Sequence, residues 1–260
     1  MNYPKTKPIL SICIPTMNRH QTIEKTLNCF AKQATDKLEI VIIDGNKDNR
    51  TYEVIKKFQK RKLNITYFKQ EFKDEYISNQ GFDRAVNQAV EVSNADHCWL
   101  FTDDDLIAEN AIDILFNKLK KNYDLILIPS KIMDEKLSQT LVDKRPNLVK
   151  DLVFKKNEIN ILATAIGDQI TFLGSVLIKR EIWIKTNKEP FFGSGFIHVG
   201  VVLESDYKNN LLLLSQPITY IRFGDGQWHE RAYEIWMIDW PRLIWSLKKI
   251  SSQSRTFLSK

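Results

Sequence analysis

The sequence predicts an α/β protein built on a sheet that helices cover. Its first half alternates short runs rich in isoleucine, leucine and valine with segments in which apolar residues recur at helical spacing. This alternation is typical of parallel strands joined by helical crossovers. The 260 residues show no internal repeat, no low-complexity linker and no clear domain boundary, so we expect one domain, divided for description into residues 1–130 and 131–260.

Five strands and the helices between them are predicted in the first half. The strands are expected at residues 10–14, 38–43, 65–68, 98–102 and 125–128. Apolar residues recur at helical spacing in residues 23–34 and 85–90, and a further helix is expected after Ala108. The first half is therefore predicted to run βαβαβαβ and to continue into a helix.

The second half is less regular. A lysine-rich stretch at residues 131–160 is expected to be mobile, and strand-like runs return at residues 170–178 and 211–221. A glycine-rich segment at residues 192–200 separates these two runs. The tail from Glu230 onward is rich in tryptophan and has the spacing of helices.

Composition places the chain among ordinary soluble proteins. Hydrophobic residues make up 43% and charged residues 27%, and no apolar run is long enough to cross a bilayer. Pro8 and Pro15 interrupt the only apolar run near the start, so no signal peptide is expected. Cys13, Cys29 and Cys98 are an odd number without metal-like spacing, which favours reduced thiols in a cytoplasmic protein.

A net charge of +6 favours an anionic partner. A basic balance of this size suits a phosphate-bearing ligand, an anionic membrane surface or a nucleic acid. Nucleic acid ranks last, because the chain has no RNA-binding aromatic motif, zinc-finger spacing or dense arginine block.

Polar residues follow three of the predicted strands. The first strand is followed by residues 15–19 (PTMNR), the second by Asp44, Gly45 and Asn46, and the fourth by Asp103, Asp104 and Asp105. Ligands of open α/β sheets bind beyond the carboxyl ends of strands, where such loops converge. We therefore expect these residues to line one crevice.

The three consecutive aspartates are the strongest local pattern. Like charges at the end of an apolar strand destabilise the fold unless a cation or a set of donors compensates them. A hard divalent ion that bridges two phosphate groups would do so, which predicts a Mn²⁺ or Mg²⁺ site. The alternative is a solvated turn in which one aspartate caps the helix near Ala108.

Two other segments have a functional and a structural interpretation. Asp44 can accept the imide hydrogen of a uracil ring or bind the amino group of cytosine, but Asp-Gly after a strand is also a favoured turn. Arg84, in the segment NQGFDRAVNQAV, can pair with a phosphate or the acidic cluster, or with Asp83 on the surface.

Glycine-rich phosphate loops are missing from the sequence. Neither GxGxxG nor GxxxxGK occurs in the chain. This argues against dehydrogenases, ATPases and sugar-1-phosphate nucleotidyltransferases, whose phosphates are held by such loops. A diphosphate here must instead be held by metal and side chains.

Taken together, LSICIPTMNR, EIVIIDGN, NQGFDRAVNQAV and HCWLFTDDD resemble the nucleotide-sugar half of family 2 glycosyltransferases of the GT-A fold. The resemblance implies a single Rossmann-like mixed sheet flanked by helices, with a helical, tryptophan-rich C-terminal segment. It also implies a UDP-, CDP-, GDP- or dTDP-sugar as donor. Residues 1–130 would bind this donor, and residues 131–260 the acceptor.

The same resemblance implies roles for individual residues. Thr16, Asn18 and Asp44 would face the nucleoside, Arg84 would lie near the phosphates, and the acidic triplet would bind ribose and metal. The metal ligand is Asp105 if Asp103 begins the DxD motif, and Asp104 if Thr102 does. The residues expected to bind the nucleotide sugar are Pro15, Thr16, Asn18, Arg19, Asp44, Gly81, Arg84, Asp103 and Asp104, and those expected to bind metal are Asp104, Asp105 and His229.

The second half is similar to bacterial abequosyltransferase-like enzymes of O-antigen and capsule assembly. The similar segments are GDQITFLGSVLIKREIW, FFGSGFIHVGVV and IRFGDGQWHERAYEIWMIDW. This implies a saccharide or lipid-linked oligosaccharide as acceptor. Family 2 enzymes generally invert the anomeric centre, with an aspartate of a Glu-Asp pair as the base that deprotonates the acceptor.

That Glu-Asp pair is missing from this chain. FIHVG stands at about its place, which makes His198 a candidate base, because neutral imidazole accepts a proton near neutral pH. The alternative is a histidine held between core elements. The other candidates are Asp168, Glu204 and Asp225, while His229 is a candidate for the phosphates or the metal.

The tail has two interpretations as well. Trp228, Trp236, Trp240 and Trp245 precede Lys248, Lys249 and Arg255, and aromatic rings with a basic end suit the interface of an anionic membrane. Tryptophans at four-residue spacing also suit core packing. The expected location is therefore cytoplasmic, either free or at the inner face of the cytoplasmic membrane.

Two other functions remain as alternatives. The missing Glu-Asp pair is compatible with a catalytically degenerate protein that only binds a nucleotide sugar. A sugar-phosphate nucleotidyltransferase would keep the α/β fold, although the missing glycine loop argues against it.

Overall fold

A computed structural model of the chain describes residues 7–60, 63–70, 78–224 and 229–259. Strands and helices alternate through the first half, as predicted. The strands are β1 (Leu10–Thr16), β2 (Leu38–Asp44), β3 (Ile65–Lys69), β4 (His97–Leu100), β5 (Leu106–Ile107), β6 (Leu125–Leu127), β7 (Ser130–Met133), β8 (Thr140–Arg145), β9 (Leu152–Phe154), β10 (Val176–Lys179), β11 (Leu211–Leu213) and β12 (Thr219–Arg222).

The helices lie between these strands and in the tail. They are α1 (His20–Ala31), α2 (Arg50–Lys60), α3 (Ser78–Glu91), α4 (Ala111–Leu119), α5 (Ile159–Ile166), α6 (Arg180–Lys185), α7 (Ile197–Glu204), α8 (Ala232–Glu234), α9 (Trp240–Ser246) and α10 (Ser252–Leu258). None of the helices that the structure describes is long and apolar enough to cross a membrane.

The central sheet has eight strands in the order β3-β2-β1-β4-β10-β6-β11-β9. Strands β1 to β4 are parallel, whereas β10 runs antiparallel to both of its neighbours, β4 and β6. The other four strands form a smaller sheet in the order β5-β12-β7-β8. Its first strand, β5, follows the turn after β4. The large sheet is thus mixed, as the resemblance implied.

Strands β1 and β2 form the centre of the fold because both of their faces are covered. All seven residues of each strand are buried, which explains their nearly continuous apolar sequences. Alternate residues face opposite sides of the sheet, so Ile12 and Ile14 pack in one apolar cluster and Cys13 in another. Each cluster contains residues from both halves of the chain.

The strands predicted in the first half are confirmed, with shifts of a few residues at their ends. The helices predicted from residues 23–34, from residues 85–90 and after Ala108 correspond to α1, α3 and α4.

Two strand predictions in the second half are wrong in part. At residues 170–178, 3₁₀ turns at Gly167–Thr171 and Leu173–Ser175 precede β10, and Gly167 has a φ of 57° that ends α5. The run at residues 211–221 forms β11 and β12 in different sheets. Pro217 lies between them and has no N–H to continue a ladder.

The expectation of a mobile stretch at residues 131–160 is also wrong. These residues contribute to β7 and form β8 and β9. Ion pairs hold some of these residues, such as Lys131 with Asp143 at 2.9 Å and Asp151 with Lys118 of α4 at 2.6 Å. The high lysine content of residues 131–160 was therefore not a sign of mobility.

The tail is helical, as predicted, but it includes a π-helical turn at Ile235–Asp239. Trp240 is buried, and its indole N–H donates to the carbonyl of Leu258 at 2.8 Å. Trp236 and Trp245 are instead partly exposed. Core packing and exposure thus both occur among the tail tryptophans.

Candidate functional site

The loops after β1, β2 and β4 meet at one edge of the central sheet. Strand β1 lies between β2 and β4 and runs parallel to both, so their carboxyl ends point the same way. Thr16 ends β1, and its carbonyl accepts the N–H of Gly45 at 2.8 Å. The edge predicted from the sequence therefore exists, with Asp44 on one side of Thr16 and Asp103 on the other.

Asp103 is tied directly to the end of β1. The hydroxyl of Thr16 donates to its carboxylate at 2.6 Å, and both side chains are buried. The hydroxyl of Thr26 in α1 donates to the carbonyls of Asp103 and Asp105, at 3.1 and 2.9 Å. Helix α1 thus fixes the turn that carries the acidic triplet.

Arg19 compensates part of the charge of the triplet. Its guanidinium forms an ion pair with Asp104, and the same nitrogen lies 3.6 Å from a carboxylate oxygen of Asp103. The side chains of Arg19 and Asp104 are 13% and 16% exposed, so water screens this pair little.

Asp105 joins the triplet to the second half of the chain. Its carboxylate accepts the hydroxyl of Thr102 and the backbone N–H of Arg222, the latter at 3.0 Å. Arg222 ends β12. The small sheet therefore borders the acidic triplet.

Burial and mutual repulsion raise the pKa values of two of these carboxyl groups. Burial, followed by the charge of Asp104, raises the pKa of Asp103 to about 7, although Thr16 and Arg19 oppose this shift. The same two causes raise the pKa of Asp105 to about 8. When all three carboxyl groups are ionised, the triplet carries more negative charge than Arg19 alone offsets.

This donor set fits a divalent cation that is shared with a ligand. Mg²⁺ and Mn²⁺ prefer carboxylate oxygens, and Mg²⁺ commonly binds through one or two carboxylates together with substrate phosphates. Within the described residues, no group of three His, Cys, Asp or Glu side chains is arranged to hold an ion without such a ligand. Asp104 and Asp105 remain the candidate metal ligands.

Asp44 lies in a hydrogen-bonded network after β2. Its carboxylate accepts both the backbone N–H and the side-chain amide of Asn46, at 2.9 and 2.6 Å, and the hydroxyl of Tyr67 at 2.8 Å. Burial, together with Asp44, raises the pKa of Tyr67, which therefore stays a neutral donor. Asn46 also accepts the backbone N–H of Asn18 at 2.5 Å, where Asn18 has a φ of 60°.

Two more residues are predicted to bind the nucleotide sugar: Pro15 lies at the edge of the sheet where β1 ends, and Gly81 lies beside that edge. Pro15 is buried in β1 opposite Ile43. The carbonyl of Gly81, in α3, accepts the side-chain amide of Gln70 at 2.9 Å, and the backbone N–H of Gln70 in turn bonds to Asp44. A Cβ at Gly81 would meet no atom within 4 Å.

Helix α3 also holds the glycine-rich loop of the second half. The guanidinium of Arg84 lies over the ring of Phe192, 4.6 Å from its centroid. The carboxylate of Asp83 accepts the backbone N–H groups of Gly193, Gly195 and Ile197, at 2.8, 3.0 and 3.2 Å. The carboxylate of Asp83 is thus buried against this loop and does not lie on the surface, as one interpretation of the sequence had it.

His198 lies in the first turn of α7 and is buried. One ring nitrogen, Nε2, is 3.1 Å from the carbonyl oxygen of Thr171, so it donates its proton there, and Nδ1 has no hydrogen-bond partner among the described residues. Burial lowers the pKa of His198 to about 4, so the ring is neutral at pH 7.

The other predicted base candidates are not brought to the triplet by their described contacts. Asp168 is exposed and pairs with Arg145 of β8. Glu204 accepts the backbone N–H groups of Lys248 and Lys249, at 2.5 and 2.8 Å, and so ties α7 to the tail.

Two predicted site residues fall outside the description. Asp225 lies outside the described residues, and for His229 only the backbone is described, at the start of a 3₁₀ turn. Their roles stay predictions.

Sequence reasoning missed several side chains that shape this edge. Thr26 donates to the triplet and Tyr67 to Asp44, yet they stand in the sequence as ordinary residues of a helix and a strand. Asp83 was considered only as a surface partner, although it is fully buried. Its position among apolar helix residues was the one available signal, because a carboxylate on a buried face needs donors.

Comparison with known proteins identifies the family to which the chain is similar. The family described as Glycosyl transferase family 2 matches residues 11–180. The chain is 28% identical to the abequosyltransferase RfbV of Salmonella typhimurium over 236 residues, which are 86% of this chain and 69% of RfbV. Across the first three curated relatives, the alignments span 52% to 69% of the relatives' own lengths.

Solved structures share the fold at low sequence identity. The S. aureus TarS fragment 1–349 in complex with UDP-GlcNAc is 16% identical, with a TM-score of 0.67 over 96% of this chain and 70% of that one. The mannosyltransferase PcManGT from Pyrobaculum calidifontis, in complex with GDP-Man and Mn²⁺, is 14% identical, with a TM-score of 0.64 over 97% and 68%. These likenesses confirm the predicted GT-A fold.

Proposed function

The chain belongs to glycosyl transferase family 2, and from this premise we propose that it transfers a sugar from a nucleoside diphosphate sugar to a saccharide or lipid-linked saccharide acceptor. The reaction would serve the assembly of a bacterial surface polysaccharide. The name of RfbV, an abequosyltransferase, supports a hexosyl or deoxyhexosyl donor.

One observation carries the proposal: the acidic triplet is bound to the loop after β1. Thr16 donates to Asp103, and Arg19 pairs with Asp104, so the charges face the strand ends rather than open solvent. Buried carboxylates with raised pKa values are expected where a cation and an anionic ligand bind together.

We assign the donor to this edge. Asp44 and Asn18 would contact the nucleoside, because both belong to the network after β1 and β2. Arg19 would exchange part of its pairing with the triplet for the diphosphate, to which a guanidinium binds in a bidentate manner. Pro15 and Gly81 leave room for the nucleotide, since neither presents a long side chain.

A divalent ion, Mn²⁺ or Mg²⁺, fits at Asp104 or Asp105, and His229 is a further candidate ligand. When bound, the ion would neutralise the charge of the departing diphosphate. The GDP-Man and Mn²⁺ complex of PcManGT supports this assignment.

The protein's own residues would then serve an inverting displacement. The oxygen of an acceptor hydroxyl attacks the anomeric carbon, the bond from that carbon to the diphosphate oxygen breaks, and the nucleoside diphosphate leaves with the electron pair. We propose that His198 accepts the proton of the hydroxyl, because its ring is neutral and Nδ1 has no hydrogen-bond partner among the described residues. Nδ1 is buried, so binding of the acceptor must expose it.

The reaction would take place in the cytoplasm, where nucleotide sugars are made.

Ligand-dependent unfolding tests the donor site. We expect one of UDP, CDP, GDP and dTDP, together with Mn²⁺, to raise the melting temperature, because a ligand at about 100 times its Kd stabilises a protein by about 2.7 kcal/mol. Asp104→Asn should abolish the metal-dependent part of this increase. Asp113→Asn is the matched control, because Asp113 lies exposed on α4, away from the edge. Equal stabilisation of Asp104→Asn and the control would contradict the proposal.

Turnover distinguishes a transferase from the two alternatives. A transferase releases nucleoside diphosphate from its nucleotide sugar, and His198→Gln should lower kcat about 100-fold or more while KM changes little. Donor binding without turnover would favour a degenerate binding protein. Pyrophosphate release from a nucleoside triphosphate and a sugar phosphate would favour a nucleotidyltransferase.

A further inference from the structure

The tail presents a row of large apolar side chains to solvent. Tyr233, Met237 and Trp245 are 76%, 62% and 52% exposed, and Trp236 and Ile238 are exposed by 45% and 42%. We call these five residues the tail face. Isolated exposed apolar residues are common, but a cluster of this kind marks an interaction surface.

The same segment has a separate, buried side. Ile235, Trp240, Leu243 and Ile244 pack into the core of the large sheet. Tyr233, Met237 and Trp245 lie outside this core, on the π-helical turn and the helical residues on either side of it. The tail face is therefore separate from the core, because other residues of the same segment already pack there.

Charges around the tail face are mainly basic. The side chain of Arg242 is 74% exposed, and Lys248 is exposed just beyond α9. Of the acidic neighbours, Glu234 pairs with Arg231 at 2.9 Å, and the buried Asp239 accepts the amide of Asn79 at 3.0 Å and lies 3.7 Å from Arg242. Glu230 is exposed, but the basic residues outnumber it. A surface of this charge attracts anions.

We propose that the tail face docks on the surface of an anionic lipid bilayer. Tyrosine and tryptophan side chains combine an apolar body with a polar tip and are enriched at the membrane–water interface. Arg242 and Lys248 would bind acidic headgroups at the rim of the inserted side chains. A second protein chain is the other candidate occupant, but exposed tyrosine and tryptophan side chains next to the exposed Arg242 and Lys248 fit anionic headgroups better.

Docking in this way would hold the edge of the sheet where β1, β2 and β4 end near the lipid. Trp236 of the tail face packs on Phe196, with ring centroids 5.6 Å apart, and Phe196 belongs to the loop that Asp83 holds. Asn79, at the start of α3, links the tail to the helix end that lies beside Gly81. The inference goes beyond the proposed function, and its test requires no transferase activity.

Vesicle binding tests the proposal on the whole chain. We expect the protein to sediment with vesicles of phosphatidylglycerol and phosphatidylcholine, and less with phosphatidylcholine alone. The variant Tyr233→Ser/Met237→Ser/Trp245→Ser should bind at least about tenfold more weakly, because the inserted apolar area is lost. Arg242→Gln/Lys248→Gln should weaken binding about fivefold or more on the anionic vesicles and little on the neutral ones.

A matched control separates docking from general loss of apolar surface. Leu141→Ser/Val153→Ser/Ile184→Ser removes side chains of similar exposure in β8, β9 and α6, outside the tail face. This control should bind vesicles like the parent, while melting curves show that both triple variants are folded.

A second measurement does not depend on a triple variant. Bromine-labelled lipid should quench part of the tryptophan fluorescence of the parent, and Trp245→Phe should lose much of this quenching.

Three results would overturn the inference. One is the absence of vesicle binding by the folded parent, and another is an equal loss in the control variant. The third is a self-associating parent that becomes monomeric in the tail-face variant without any vesicle binding, which would assign the face to a second copy of the chain.

Discussion

Arg19→Gln tests how the acidic triplet is compensated. Arg19 pairs with Asp104 and lies 3.6 Å from Asp103, and the side chains of this cluster are at most 16% exposed. At an effective dielectric constant of about 20, two unit charges about 4 Å apart interact with about 4 kcal/mol. Removing one partner of a largely buried pair costs about 3 to 5 kcal/mol, and residual exposure reduces this. We therefore expect a loss of about 3 kcal/mol in unfolding free energy at pH 8.

The loss should depend on pH in a defined direction. The pKa values of Asp103 and Asp105, about 7 and about 8, are raised above those of the unfolded chain. Below these values the two carboxyl groups are largely protonated in the folded state and need less compensation. The destabilisation by Arg19→Gln should therefore be smaller at pH 6 than at pH 8.

Thermal unfolding at the two pH values, without added metal, measures this effect. For a chain of this size, about 3 kcal/mol corresponds to a decrease of roughly 5 to 10 °C in melting temperature. Arg50→Gln is the matched control, because its pair with Asp48 is 60% and 45% exposed and should contribute little. Equal decreases in the two variants at pH 8, or a larger decrease for Arg19→Gln at pH 6, would refute the reasoning.

Three further predictions follow from buried groups and close contacts. Burial raises the pKa of Asp83 to about 7, so the contribution of Asp83 to the free energy of unfolding should fall as pH rises from about 4 to 7 and then level off. In urea unfolding, Asp83→Asn should not show this pH-dependent loss of stability. A variant with the same pH profile as the parent would contradict the prediction. Gly200→Ala should destabilise by about 1 to 3 kcal/mol in urea unfolding, because its Cβ would come within 2.4 Å of the Phe191 ring. Gly81→Ala should instead stabilise α3 by up to about 1 kcal/mol, and a loss of nucleoside diphosphate affinity in the same variant would show that the donor approaches this backbone closely.

The sequence was most informative where one short segment determines the structure. Strands β1 and β2 are nearly continuous apolar runs, which need two covered faces, and the polar residues after them must then lie at a common edge. For this reason the sequence alone predicts that Thr16, Asp44 and Asp103 lie close together. In the structure, the hydroxyl of Thr16 donates a hydrogen bond to the carboxylate of Asp103.

Contacts between distant segments could not be predicted in this way. Asp83 accepts N–H groups from Gly193 and Ile197, more than one hundred residues further along the chain. Strand β10 has four residues and lies between β4 and β6, an insertion that its sequence VLIK does not indicate. Short apolar runs reveal burial but not neighbours, since pairing depends on the whole sheet.

Charge patterns were informative about the edge and misleading elsewhere. Three adjacent aspartates after a buried strand indicated a binding site because nothing local could compensate them. The lysines of residues 131–160 alternate with aspartates instead, and pairs such as Lys131 with Asp143 let these residues form strands. The roles of the donor, metal and base residues stay predictions until the variants are measured.

The place of β10 has a consequence for synthesis on the ribosome. Until residues 176–179 have left the exit tunnel, β4 has no partner on one side, and β6 has no neighbour through which to join β1. The nascent first half thus exposes open strand edges at β4 and β6, which invite pairing with other chains. Protection by chaperones, or a translation rate that brings β10 out quickly, should therefore increase the yield of folded protein.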